Sequence, residues 1–137
     1  MLIAWWLNAL ALLFVSFLGV RAMLDPRWAA RFVRLKPDEQ GGGEAEFRAT
    51  YGGVFLFTHA AALLLTSKYM LDGASIVGLC ATGAAAVLSA GWAGSAAGRF
   101  LAIWRDGVRT PFNLLSAFAE IALALAIGAP WIVWVLG

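Results

Sequence analysis

The sequence predicts an all-α fold, a transmembrane up-down-up-down four-helix bundle, in a single domain over residues 1–137. Three observations predict it. Hydrophobic residues make up 62% of the chain and charged residues 13%, where soluble domains have about 45–50% and about 25%. Four apolar stretches each approach the roughly 20 residues that a spanning helix needs. The cations gather on alternate connections between those stretches. A chain this short buries at most roughly 60–70% of its surface in its own core, so lipid must take the remainder.

The first span covers 2–20. No Lys or Arg precedes its apolar core and no small-x-small site follows it, so it reads as an uncleaved helix and not as a signal peptide. Asp25-Pro26 then offers an N-cap and a proline at the first helical position. Trp28, Phe32 and Leu35 recur at i, i+4, i+7, and Arg27, Arg31 and Arg34 recur likewise on another face. That pattern predicts a cytoplasmic amphipathic helix over about 26–36, lying in the headgroup layer with arginines toward anionic phosphates. Its plainer reading is a juxtamembrane anchor. Lys36-Pro37 ends it, and the acidic, then Gly-rich run 38–43 reads as a flexible linker.

The second span covers 50–67, with a start one turn earlier near Arg48. A short connection makes the third span, 74–98, its antiparallel neighbour. The third helix continues to about Arg105, with Asp106-Gly107 as its stop. Thr110-Pro111 caps the fourth span, 112–136. Trp5, Trp6, Trp131 and Trp134 suit one interface, and Trp28 and Trp104 the other.

Nine of the ten basic residues fall in segments 21–49 and 99–111, and Lys68 alone falls on the opposite side. Basic connections stay in the cytoplasm, so both termini are expected to be periplasmic. On the third helix, Ala86, Ala90, Gly94 and Gly98 form a small-residue stripe that lets backbones approach closely in lipid. The stripe serves either packing within the bundle or docking of another subunit.

Polar residues inside the spans carry the candidate chemistry. Glu120 lies roughly 13 Å from the cytoplasmic end of the fourth helix and Asn8 roughly 18 Å above that of the first. With His59 at a similar depth, the three are expected to form one intramembrane polar layer. An ionised Glu facing lipid costs at least about 2.5 kcal/mol. Glu120 therefore needs a partner: His59 first by depth, with Arg48 and Arg99 as alternatives. A second candidate group, Glu46, Arg48, Tyr51, Arg99 and Asp106, is expected at the cytoplasmic mouth, and Gly52-Gly53 there permits close approach of a helix or ligand.

Other chemistry has no support in the sequence. A lone Cys80 and a lone His59 offer no metal or redox motif, so no metal and no cofactor are expected. No phosphate loop, hydrolase elbow or Rossmann glycine run is present, and the basic residues follow the membrane rather than a nucleic acid.

Glu46-x-Arg48-Ala49-x-Tyr51-Gly52-Gly53 opening the second span, with Gly98-Arg99 and Asp106-Gly107 after the third, resembles a bacterial family of small four-helix membrane proteins catalogued as domain of unknown function 4345. The resemblance covers most of the chain. It implies a four-helix bundle in a bacterial inner membrane and no particular reaction. The expected function is an accessory, assembly or lipid-binding role without catalysis. The alternative is a small membrane enzyme or proton-linked carrier acting on a lipid-like or quinone-like molecule through His59 and Glu120. The bilayer is the expected partner, with another membrane protein or a second copy of the chain beside it.

Overall fold

In the computed structural model the chain is all-α, and the structure describes residues 1–36, 40 and 42–137. Four helical stretches are long and apolar enough to cross a membrane: Leu2–Leu24, Gly42–Asp72, Ser75–Arg105 and Pro111–Leu136. The protein is a multi-pass membrane protein. Many large apolar side chains along these stretches are exposed, among them Leu10, Phe17, Phe57, Leu64, Val87 and Leu125, as suits a surface solvated by acyl chains.

The helices are α1 (Leu2–Leu24), α2 (Pro26–Val33), α3 (Gly42–Glu46), a π-helical segment (Phe47–Val54), α4 (Phe55–Asp72), α5 (Ser75–Arg105) and α6 (Pro111–Leu136). By contact the chain divides into two compact units, Leu12–Leu64 on one hand and Met1–Ala11 with Leu65–Gly137 on the other.

In the Leu12–Leu64 unit, α1 outruns its expected end at residue 20 by four residues. Arg21 lies within its last turn, with its guanidinium over the Trp28 ring, 4.3 Å from the centroid. Asp25 then caps α2, its carboxylate accepting from the Trp28 N–H at 2.9 Å, with Pro26 in the first turn. The helix expected over 26–36 stops at Val33, since Arg34 turns left-handed at φ 59° and Leu35 N–H bonds back to Ala30 O at 3.0 Å. Pro37, expected to end that helix, lies outside the described residues, as do Asp38, Glu39 and Gly41 of the expected linker. Ala22, Ala29, Ala30 and Phe47 form a buried cluster, with Trp28, Val33 and Tyr51 packed on it. Two glycines set the approach of α4 to α1. A Cβ on Gly19 would stand 2.5 Å from the Leu56 backbone nitrogen, and one on Gly52 would stand 2.9 Å from that of Met23.

In the other unit, α5 and α6 run antiparallel. Thr110 caps α6 through the Asn113 N–H at 3.2 Å, and Pro111 opens it. The buried residues of α5 are Gly78, Ala81, Ala85, Ser89 and Ala96, and those of α6 include Asn113, Ala117, Glu120, Ala124, Ile127 and Gly128; Ser89 meets α6 at Ala124 O and Gly128, while Gly78 lies against the Tyr69 ring of α4. The expected small-residue stripe is therefore not the buried face of α5. Ala86 is only half-buried, Ala90, Gly94 and Gly98 are exposed, and a Cβ on Gly94 or Gly98 would meet nothing within 4 Å. The expected stripe and the real one lie on different faces of the same helix, and α6 takes the face that also holds Ser89. Trp5, expected in the interfacial belt, is buried with its ring 4.7 Å from that of Tyr69. Trp6, Trp104 and Trp134 are exposed.

Candidate functional site

Three polar groupings and two hollows are candidates. The first grouping joins α5 to α6. Arg99 Nε donates to Glu120 Oε1 at 2.8 Å and its Nη1 to Asn113 Oδ1 at 3.2 Å. Asn113 Nδ2 in turn donates to Val108 O at 3.0 Å, so the network also holds the connection between the helices. The Glu120 side chain is 9% exposed and that of Arg99 31%. Glu120 thus takes Arg99, one of the alternatives named from sequence, as its ion partner, where depth alone had put His59 first. Desolvating a carboxylate is costly unless it is paired and hydrogen-bonded, and Arg99 meets both needs at Oε1. Glu120 Oε2 is buried with no hydrogen-bond partner.

The second grouping sits farther along α6. Asn8 Nδ2 donates to Ile127 O at 2.5 Å, Thr66 Oγ1 donates to Asn8 Oδ1 at 2.8 Å, and Ser89 Oγ donates to Ala124 O at 2.7 Å. Pro130 stands inside this helix and withholds an N–H from the carbonyl one turn earlier, so this stretch of α6 is already short of donors. Gly128 is what admits α5 here, since a Cβ on it would lie 2.5 Å from Ser89 Oγ. Asn8 and Glu120 therefore do not share one layer. Ile127 lies seven residues beyond Glu120, roughly 10 Å along the axis.

The third grouping lies in the Leu12–Leu64 unit. His59 is buried, and its Nδ1 lies 2.8 Å from Phe55 O and 3.1 Å from Thr58 Oγ1. A carbonyl only accepts, so Nδ1 carries the proton in the bond to Phe55. Arg48 Nη1 donates to Met23 O, capping the last turn of α1. Thr50 donates to the Glu46 carboxylate. The Tyr51 ring lies between those of Phe47 and Phe55, at 5.5 and 5.8 Å. Arg48, Tyr51, Gly52 and Gly53 all belong to the π-helical segment, a geometry that is rare and recurs at functional sites. Of the expected mouth group, Glu46, Arg48 and Tyr51 belong to this unit and Arg99 and Asp106 to the other. Asp106 caps the end of α5 through its N–H to Ala102 O and is exposed.

One hollow, of about 470 Å³, lies beside α2. Arg27, Arg31, Arg34 and Lys36 line it with Glu44, Ala30 and Leu35. Glu44 pairs with Arg27 at 2.9 Å and holds that guanidinium's pKa above its ordinary value through the hydrogen bond and the charge. Another hollow, of about 270 Å³, has Trp5, Tyr69 and Trp134 among its walls. Among the described residues no group of three or more His, Cys, Asp or Glu gathers to hold a metal ion.

Asn113, Thr66, Ser89 and Glu44 were missed from sequence. Asn113 had a signal, a polar amide in the first turn after Thr110-Pro111. Thr66 and Ser89 are small hydroxyls in apolar helices, which bond their own preceding turn as readily as a neighbour, so their roles are decided by what packs opposite. No family model, curated protein or solved structure matches the chain.

Proposed function

We propose that the protein is a non-catalytic accessory or lipid-binding protein of a bacterial inner membrane, with both termini periplasmic. One observation carries the reading. The polar side chains within the spans are engaged by neighbouring helices or by their own backbone: Arg99 with Glu120 and Asn113, Asn8 with Thr66 and Ile127 O, Ser89 with Ala124 O. Such groups fix helix register in lipid, and the ion pair commits Glu120 Oε1 to Arg99. The nine-to-one bias of basic residues supports the orientation. The resemblance of the Glu46–Gly53 motif to the bacterial four-helix family supports the location. The open Ala90, Gly94 and Gly98 face of α5 supports a second membrane protein or a second copy as partner.

Native mass spectrometry of the protein extracted in mild detergent tests the reading. A stoichiometric lipid or protein is the expected result, and a reporter fused to Gly137 should be active only outside the cytoplasm. A retained small metabolite that the preparation converts would overturn the non-catalytic role. The second reading, an enzyme or carrier using Glu120, is favoured by the unpartnered Oε2. It predicts that Glu120→Gln leaves a folded protein but abolishes turnover or proton flux in liposomes.

A further inference from the structure

The ion pair between α5 and α6 leaves two of its own groups unused. A guanidinium beside a carboxylate frequently closes on it through two parallel N–H···O bonds, one to each oxygen. Arg99 and Glu120 do not. Arg99 commits Nε to Glu120 Oε1 at 2.8 Å and Nη1 to Asn113 Oδ1 at 3.2 Å. Asn113 is fixed in turn, its Nδ2 donating to Val108 O at 3.0 Å. One acceptor and one donor remain. Glu120 Oε2 is buried with no hydrogen-bond partner, which is costly for a carboxylate oxygen. Arg99 Nη2 donates to no acceptor among the described residues.

These groups lie where a lipid-soluble molecule can reach them. Both residues stand within spans, Glu120 roughly 13 Å from the start of α6 and Arg99 roughly 9 Å from the end of α5. The Glu120 side chain is 9% exposed, but that of Arg99 is 31%. Long helical side chains lean toward the N-terminus of their helix, which carries the guanidinium over the turn that holds Ser95. Ser95 is exposed, as are Gly94 and Gly98, and a Cβ on either glycine would meet nothing within 4 Å. Small residues therefore border the approach to Arg99. The last torsion of a Glu side chain is broad, so Oε2 can turn toward a molecule seated there. The two charges set the class of that molecule. A phosphate or carboxylate drawn to Arg99 is repelled by Glu120, and an ammonium drawn to Glu120 is repelled by Arg99. A neutral hydroxyl meets neither repulsion, and it both accepts a hydrogen bond and donates one.

We propose that Arg99 and Glu120 bind the neutral hydroxyl of a lipid-soluble molecule, which accepts from Arg99 Nη2 and donates to Glu120 Oε2 while its apolar body lies along α5 beside Ser95. The proposal rests on the lipid-binding half of the reading above and assigns it a place. It gives the unpartnered Oε2 a role without turnover. The shared chemistry is a hydroxyl on an apolar stem. A diacylglycerol and a benzoquinol both supply it, and the test separates them.

The test is native mass spectrometry of the full chain in phosphatidylcholine nanodiscs that carry one probe at a time: dioleoylglycerol, its methyl ether, a decyl-substituted benzoquinol, or the dimethyl ether of that quinol. Wild type should retain a hydroxyl probe about tenfold better than its ether, because the ether accepts a hydrogen bond but donates none. Which hydroxyl is retained names the source. Glu120→Gln turns the acceptor at this position into an N–H donor and should erase the preference for hydroxyl over ether. Ser95→Leu fills the approach, leaves both charged side chains in place and should lower retention about tenfold with an unchanged melting temperature. Gly83→Leu, at another open position of α5, should leave retention unchanged. Equal retention of hydroxyl and ether, an unchanged Ser95→Leu variant or an equal loss in Gly83→Leu overturns the site. If wild type keeps a bilayer lipid but no probe, only this placement fails and the lipid-binding reading stands. If it keeps neither, both fall.

Discussion

The two faces of α5 carry the same kinds of residue and meet opposite surroundings. Ala81, Ala85, Ser89 and Ala96 are buried against α6, while Ala90, Gly94 and Gly98 are exposed. Small residues at helical spacing mark faces on which close packing is possible. They do not say which face a neighbour takes. Here the choice goes with polarity, because the chosen face also holds Ser89, and Arg99 lies near enough to reach Glu120.

The contrast can be broken or sharpened by substitution. The largest effect belongs to the ion pair. Glu120→Ala leaves Arg99 without its carboxylate; breaking a fully buried pair costs about 3–5 kcal/mol, and the 31% exposure of the Arg99 side chain puts the loss at the lower end of that range. Thermal melting in detergent should show a steep loss, largely recovered in the double variant Arg99→Met with Glu120→Leu. An unchanged melting temperature for Glu120→Ala would show that the pair bears no weight. Gly128→Val comes next. Its Cβ would meet Ser89 Oγ at 2.5 Å, and overpacking of this kind costs about 1–3 kcal/mol. Asn8→Leu removes the bonds to Thr66 and Ile127 O, and interhelical hydrogen bonds in membranes average about 0.6 kcal/mol, at most about 1.7. A small but measurable shift in melting is expected.

The smallest effect on the monomer is on the open face. Gly94→Leu has nothing to strike and should change monomer stability by no more than about 0.5 kcal/mol. The same substitution should weaken any self-association or partner association seen by cross-linking. If Gly94→Leu instead unfolds the monomer, the two faces of α5 are not different in the way described.

The spans themselves were legible because lipid imposes a length and a composition that no local contact can disguise. Caps were legible too: Asp25-Pro26 and Thr110-Pro111 act in the structure as their sequence suggests, since a side chain and the next three residues contain the whole interaction. The partner of Glu120 was half legible. Sequence listed Arg99 as a candidate, but depth estimated from helix ends ranked His59 above it. Depths counted from helix ends also put Asn8 and Glu120 in one expected layer, although Asn8 bonds Ile127 O, seven residues beyond Glu120 on α6.

The sequence by itself determined that this chain is helical, crosses the membrane repeatedly and carries its cations on one set of connections. Those properties follow from hydropathy and charge summed over whole segments. Only tertiary structure decided that α5 packs through Ser89 and not Gly94, that Arg99 reaches Glu120 and Asn113, that Thr66 completes Asn8, and that Arg34 turns back to end α2. Each depends on which side of a helix faces a neighbour and on where a helix ends. A rotation of 100° or a shift of one residue changes every such contact while leaving composition untouched.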